Sequence, residues 1–382
     1  MKALRNFIDS VKPQFEKGGK FEKLRSTFGA FETFLYVPNT TNKGGVHVRD
    51  AVDLKRTMSV VVLALIPALL FGMWNTGYQY FKMLGEEATL MECFWEGFLA
   101  VLPIIIVSYV VGLGIEFAVA QMRGHEVNEG FLVSGMLIPL VVPADIPLWM
   151  VAVATAFAVI FGKEVFGGTG MNIWNPALIA RAFLFFAYPS KISGDTVWYS
   201  NCVDGFTGPT ALSLAGTGDY TTYSIMDCII GNIPGSIGET SVIAIGLGAI
   251  LLLVTGIASW KTMFSVIAGG AIMGWVFNNF GSADNAMAML PWYQHLIIGG
   301  FAFGAVFMAT DPVTSPRTEC AKYIYGFLIG AMAIIIRVLN PGYPEGMMLA
   351  ILLMNTLAPL FDYFVIQKNI SKRKNRVKTA KA

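Results

Sequence analysis

The chain has 382 residues, of which 55% are hydrophobic and only 14% charged, with 28 Phe, 19 Met and 40 Gly. A mean hydropathy of +0.59 excludes an ordinary soluble domain and a disordered chain, and leaves an integral membrane protein. The net charge of +2 conceals two basic ends, with 11 of the 27 Lys and Arg in residues 1–56 and seven more in 368–382.

Basic flanks stay on the cytoplasmic side, so both termini are expected inside and the number of crossings even. Cys93, Cys202, Cys228 and Cys320 form no C-x-x-C pair and suit neither zinc nor an iron–sulfur cluster. Neither a bound metal nor a nucleic-acid partner is expected. Residues 1–56 lack the apolar core of a signal peptide and read as a cytoplasmic extension that ends in His47-Val48-Arg49-Asp50-Ala51-Val52-Asp53-Leu54-Lys55-Arg56.

A first span is expected over about Met58–Trp74 and a second over Phe94–Met122, each long enough for a hydrocarbon core of roughly 30 Å. The second carries Gly112, Gly114 and Glu116 near its inner end. A carboxylate toward mid-membrane costs about 3 kcal/mol to insert, so Glu116 is either paired or close enough to the headgroups to be solvated. After the charged loop 123–129 come two short apolar runs, 130–142 and 147–161, joined by Pro143-Ala144-Asp145. A Gly-rich loop with Asn172, Trp174 and Asn175-Pro176 then leads into a fifth helix ending near Tyr188.

The second half repeats this order. Spans over about 241–258 and 263–280 precede a short run, 295–309, that reaches Thr310-Asp311-Pro312; a helix over 323–338 follows, and Asn340-Pro341 precedes a last span to about Ile366. Asp145 and Asp311 are 166 residues apart, Asn175 and Asn340 165 apart. Two marks at nearly one offset predict an internal duplication. A rival alignment, Val165-Phe166-x-x-Thr169 on Val306-Phe307-x-x-Thr310, has an offset of 141 and breaks the helix order, so it is set aside. Five crossings per repeat make the halves inverted, the pattern of proteins that hold a ligand at the repeat interface. The expected organisation is an extension (1–56), a first five-helix repeat (57–190), an outer loop (191–239), a second repeat (240–367) and a basic tail (368–382). The outer loop contains one Lys, Lys191, and no Arg.

That loop carries Asp204-Gly205-Phe206-Thr207-Gly208-Pro209-Thr210. Gly and Pro turn the chain and expose a hydroxyl on a loop, as an ordinary surface turn also does. The spacing Asp-x-x-Thr-Gly-x-Thr resembles the signature at which bacterial flavin transferases esterify a threonine with FMN. Together with His125-Glu126-Val127-Asn128-Glu129-Gly130, Lys163-Glu164-Val165-Phe166-Gly167-Gly168-Thr169-Gly170, Gly231-Asn232-Ile233-Pro234-Gly235-Ser236-Ile237-Gly238-Glu239 and Asn340-Pro341-Gly342-Tyr343-Pro344-Glu345-Gly346, it resembles the NqrB/RnfD family. These are membrane subunits of the sodium-translocating NADH:quinone oxidoreductase and of Rnf complexes. The long N-terminal extension favours the Nqr branch over an RnfD-type subunit of an ion-translocating ferredoxin/NAD oxidoreductase.

The resemblance implies an all-α polytopic protein of about ten transmembrane helices in a bacterial cytoplasmic membrane, with a urea-transporter-like outline. It further implies an electron-carrying subunit that works with Nqr subunits A, C, D, E and F, is matured by a flavin transferase and transfers electrons to ubiquinone with Na+ translocation. FMN would be esterified to Thr210, with Asp204, Thr207 and Gly208 completing the motif; the family's usual Ala before the acceptor is Pro209 here. Non-covalent riboflavin is expected near Asn172, Trp174 and Asn175, quinone near Gly112 and Glu116, and sodium uptake near Asp362 and Glu116. A reading from another class, a urea-transporter-like solute channel, shares the helix count but gives Thr210 nothing to carry.

Overall fold

The computed structural model describes residues 2–15, 19–21, 27–29, 32–33, 44–46, 54–124, 130–194, 197–200, 206, 208–340 and 342–381. The expected motif residues Asp204 and Thr207, the loop 125–129 and half of the N-terminal extension lie outside them.

Among the described residues every regular element is helical. An N-terminal helix α1 (Lys2–Val11) precedes the bundle. Helices α2 (Leu54–Leu84) and α3 (Leu90–Arg123) have 31 and 34 residues, or about 46 and 51 Å at 1.5 Å per residue, and project beyond the hydrocarbon. Helix α3 begins in a capping box, with the Thr89 N–H donating to Glu92 and the Glu92 N–H to Thr89, and ends at Gly124 with φ 70°. Helices α4 (Phe131–Leu140), α5 (Leu148–Gly162) and α6 (Pro176–Ala187) complete the first half. Two short helices, α7 (Ala211–Thr217) and α8 (Ile225–Ile230), then lead to α9 (Val242–Val254) and α10 (Trp260–Phe280). The run expected as one helix over 295–309 is broken. Gln294–Ile297 ends before Gly299, whose φ is +68°, and the chain restarts as α11 (Phe301–Phe303), continued by a π-helical turn, Gly304–Met308. Helices α12 (Glu319–Leu339) and α13 (Met347–Lys381) close the fold, and α13 runs on through the basic tail.

Among the described residues, six helical segments are long and apolar enough to cross a membrane, and α4, α6 and α9 are shorter apolar helices. Leu63, Leu70, Leu99, Ile106, Val110, Leu247 and Ile250 stand exposed around the bundle, as a lipid-facing surface requires. This is a multi-pass membrane protein.

The first half is held by α2 on α3, α3 on α4 and α5, α2 on α4, and α5 on α6; in the second, α10 packs on α11 and α12, α9 on α11, and α12 on α13. Helix α2 also touches α9, and α6 touches α13. Short helices leave backbone groups to satisfy at depth. Accordingly, the Leu140 and Val142 carbonyls at the end of α4 accept from the N–H groups of Gly238 (2.8 Å) and Ile237 (3.3 Å). Residues 236–239, expected in the outer loop, are therefore buried in the bundle, as are Thr240 and Ser241.

Where α10 crosses α12 the contact is backbone to backbone: a Cβ on Gly330 would overlap the Val266 carbonyl, and one on Gly269 the Phe327 carbonyl. Membrane helices without a hydrophobic drive between them rely on such close approach. Gly330→Ala is expected to force the two helices apart and to cost about 1–3 kcal/mol. Thermal unfolding of the purified protein in detergent checks this; an unchanged midpoint contradicts it.

Candidate functional site

Thr210 is the N-cap of α7, and its Oγ1 accepts a hydrogen bond from the Ser213 N–H at 3.1 Å. Its hydroxyl is thereby fixed at the start of a helix. The residues before it are clamped by aromatics. A Cβ on buried Gly208 would collide with the Tyr199 ring, which meets Phe206 edge-on at 4.9 Å, and the Tyr223 hydroxyl donates to the Pro209 carbonyl at 3.3 Å. Gly208 is thus needed for space and not for a left-handed backbone. Beyond α7, Asp219 accepts from the Thr222 hydroxyl at 2.5 Å and from the Thr221 N–H and hydroxyl at 2.9 and 3.0 Å. These bonds, the Thr222 hydroxyl first, hold its carboxyl down at about 2.

Thr210 lines a cavity of about 940 Å³, at the upper end of the roughly 300–1,000 Å³ of ligand pockets. Its wall contains a buried charge cluster that the motifs did not disclose. Arg181, from the middle of α6, donates to Glu239 at 2.5 Å, Glu345 at 2.6 Å and Ser236 at 3.3 Å. Arg337, 0% exposed on α12, donates instead to four backbone carbonyls: His295 at 2.6 Å, Pro344 at 3.1 Å, Ile298 at 3.3 Å and Glu345 at 3.4 Å. Two cations and two carboxylates balance, as charges at this depth must. The detectable signal was a lone Arg within each of two apolar helices.

Gly299 and Gly300 keep the cluster open to the cavity. A Cβ on Gly300 would lie 2.7 Å from a Glu345 carboxylate oxygen and 2.8 Å from one of Glu239; a Cβ on Gly299 would lie 3.3 Å from Leu212 and 3.4 Å from Arg337. Thr240, 4% exposed, lines the same cavity with a hydroxyl that has no hydrogen-bond partner.

A second cavity, about 80 Å³, lies at the other end of the bundle and is lined by residues including Asn172, Asn175, Lys163, Thr169, Thr310 and Asp311. It brings Asn172 and Asn175 together, and it also joins Thr169 to Thr310, the threonines of the alignment that was set aside. The Asn175 side chain caps α6 through the Ala177 N–H at 2.9 Å, and the Asn172 amide donates to the Trp174 carbonyl at 3.0 Å. Trp174 turns away: its indole N–H donates to Thr356 on α13 at 2.9 Å. The polar groups suit a ligand's hydrogen-bonding edge, but the volume is far below the ~300 Å³ at which ligand pockets begin.

The Lys163 ammonium pairs with Glu116, and both side chains are 4% exposed. Glu116 is paired, not solvated. Its second oxygen has no partner. Gly112 has a packing role, since a Cβ there would enter the Phe131 ring. Asp362 accepts from the Arg317 N–H at 2.8 Å, the Thr318 N–H at 2.9 Å and the Thr318 hydroxyl at 2.6 Å, and so fastens α13 to the start of α12.

These observations define the class: a polytopic helical membrane protein with a ligand-sized cavity under a capped threonine and a small polar cavity at the opposite end. The chain belongs to the NQR2, RnfD, RnfE family, whose family model matches residues 41–371. It is similar along nearly its whole length to proteins named as the B subunit of Na(+)-translocating NADH-quinone reductase. The Ectopseudomonas mendocina (strain ymp) and Azotobacter vinelandii proteins are each 48% identical, covering 97% of this chain and 98% of their own. The Chromohalobacter salexigens protein is 47% identical, covering 98% and 96%.

Removing one partner of the buried pair, by Lys163→Met or Glu116→Gln, strands a charge and is expected to cost about 3–5 kcal/mol. The double variant Lys163→Met/Glu116→Gln removes both charges and should be markedly less destabilised than the sum of the single changes. Thermal unfolding of all four proteins measures the coupling, and additive losses would rule the pair out.

Proposed function

We propose that this chain is the NqrB component of a sodium-translocating NADH:quinone oxidoreductase, an inner-membrane electron-transfer subunit with FMN esterified to Thr210. The observation that carries the reading is Thr210 itself, a fixed hydroxyl on the wall of a cavity large enough for a flavin. Similarity to the reductase proteins covers 97% of the chain, which supports the Nqr branch over the RnfD alternative. A flavin, when bound, supplies electron transfer; the chain positions it, excludes water and surrounds it with charge. Tyr199 and Tyr223 hold the turn that presents the Thr210 oxygen. Asp204 and Thr207 are proposed to complete the motif read by the flavin transferase.

The fold is proposed to be two inverted five-helix repeats, α2–α6 and α9–α13. In support, three packing pairs correspond: α3 with α5 and α10 with α12, α5 with α6 and α12 with α13, α2 with α4 and α9 with α11; the extensive pairing of α2 with α3 has no equal between α9 and α10. The marks that suggested duplication lie at opposite ends, Asn175 and Asp311 by the small cavity and Asp145 bonded to the Val197 carbonyl at 3.4 Å beside the other. We assign the Thr210 end to the outer face and the Asn175 end, with both termini, to the cytoplasm. At the inner end we propose riboflavin beside Asn172 and Asn175, quinone near Gly112 and Glu116, and sodium uptake at Glu116 and Asp362. The small cavity must widen to take a flavin ring. Nqr subunits A, C, D, E and F are the proposed partners.

After co-expression with a flavin transferase, the denatured wild-type protein is expected to fluoresce in a gel and to carry the mass of one added flavin phosphate. Thr210→Ser should retain the label, and Thr210→Ala should lose it to background. Undiminished fluorescence in Thr210→Ala, or none in the wild type, overturns the reading.

A further inference from the structure

We infer that the flavin ring tethered at Thr210 docks its polar, imide-bearing edge in the notch at Gly299–Gly300, against Glu239, Glu345 and Arg337. This rests on the reading of Thr210 as the attachment site. Three observations carry it. The first is continuity. Leu212, two residues into the helix that Thr210 caps, stands against Gly299, with 3.3 Å between its side chain and a Cβ position there. Thr210, Leu212 and the two glycines line one cavity, and the five-carbon arm of a ribityl phosphate is proposed to bridge Thr210 and the notch.

The second is the missing surface. Two consecutive glycines leave carboxylate oxygens of Glu345 and Glu239 within 2.8 Å of an empty Cβ position. Any larger residue at 300 would cover them. The third is a hydroxyl, that of Thr240, buried on the wall of this cavity with no partner. An orphaned buried donor is destabilising unless a ligand satisfies it.

The chemistry of the notch selects the occupant. Carboxylates only accept hydrogen bonds and guanidinium groups only donate them. A free anion meets two carboxylates, a quinone has no N–H to offer them, and a lipid tail satisfies neither. The pyrimidine edge of a flavin carries an N–H between two carbonyls and meets both. Arg337, bonded only to backbone carbonyls, places a positive charge beside that edge. Arg181, held between Glu239 and Glu345, keeps the carboxylates in place from behind and acts as a positioning residue. The balance of these charges sets how readily the bound ring accepts electrons.

The test uses the intact complex matured with a flavin transferase, as wild type, Glu345→Gln, Gly300→Ala and Thr240→Val. Thr240→Val breaks no bond within the chain, and so reports on the ring alone. In-gel fluorescence first reads attachment. A redox titration of the visible spectrum, taken as the difference from the Thr210→Ala complex, then reads the ring. All three variants are expected to keep the fluorescent band. Glu345→Gln, by removing a negative charge, should raise the midpoint by at least a tenfold change in the ratio of reduced to oxidised flavin, about 30 mV for a two-electron couple. Gly300→Ala and Thr240→Val should alter the spectrum of the oxidised ring. Attached flavin with wild-type potential and spectrum in all three variants overturns the docking; absence of the band in the wild type overturns the attachment reading instead.

Discussion

An arginine in the middle of an apolar helix cannot stand alone, and Arg181 determines which other segments must meet it. Its guanidinium reaches Glu239 in the segment before α9 and Glu345 in the segment before α13, tying three parts of the chain that no local preference would bring together. A buried cation left without its partners loses several kcal/mol. The segments around 236–241 and 342–346 are therefore folded into the bundle, where they close one end of it and leave a cavity between them.

Helix length does the rest. Helices α4 and α6 have 10 and 12 residues, about half of what a crossing needs, and α11 is shorter still. Each stops inside the bundle, and each stop is covered: the end of α4 by Ile237 and Gly238, the start of α6 by Asn175, the end of α11 by the Thr310 hydroxyl on the Val306 carbonyl at 2.6 Å. Interrupted helices place polar backbone at membrane depth only where it lines a cavity or is buried in protein. Among the described residues two of the cavities lie at such interruptions, one roomy and one tight, and the roomy one contains the threonine of the Asp-x-x-Thr-Gly-x-Thr motif.

Much of this was legible in the sequence because hydrophobic runs are long and strongly marked. The order of helices and the short third run, 130–142, followed from length and local chemistry. The fourth run, read as short, belongs to a segment of 19 residues that is long enough to cross, and the shortness of α6 and the capping role of Asn175 were not read from the sequence. Nor was the break at Gly299–Gly300, because an apolar run over 295–309 reads as continuous until a positive φ interrupts it. The burial of residues 236–241 was also hidden, since Ser-Ile-Gly-Glu-Thr-Ser is what a surface loop contains. Arg181 and Arg337 were visible as single charges in apolar windows. The carboxylate partners of Arg181 lie 58 and 164 residues along the chain, at Glu239 and Glu345, and only the fold brings them within reach. Glu116 was open between paired and solvated; Lys163 decides it. Gly112 and Asp362, singled out for ligands, have packing and capping work that no spacing in the sequence discloses.

The most direct measurement is a high-resolution density map of the flavin-loaded complex. The account predicts continuous density from Thr210 Oγ1 through a phosphate and a ribityl arm into the large cavity, ending with the polar edge of a ring at Gly299–Gly300. A threonine without attached density, or a ring lying outside that cavity, would contradict it.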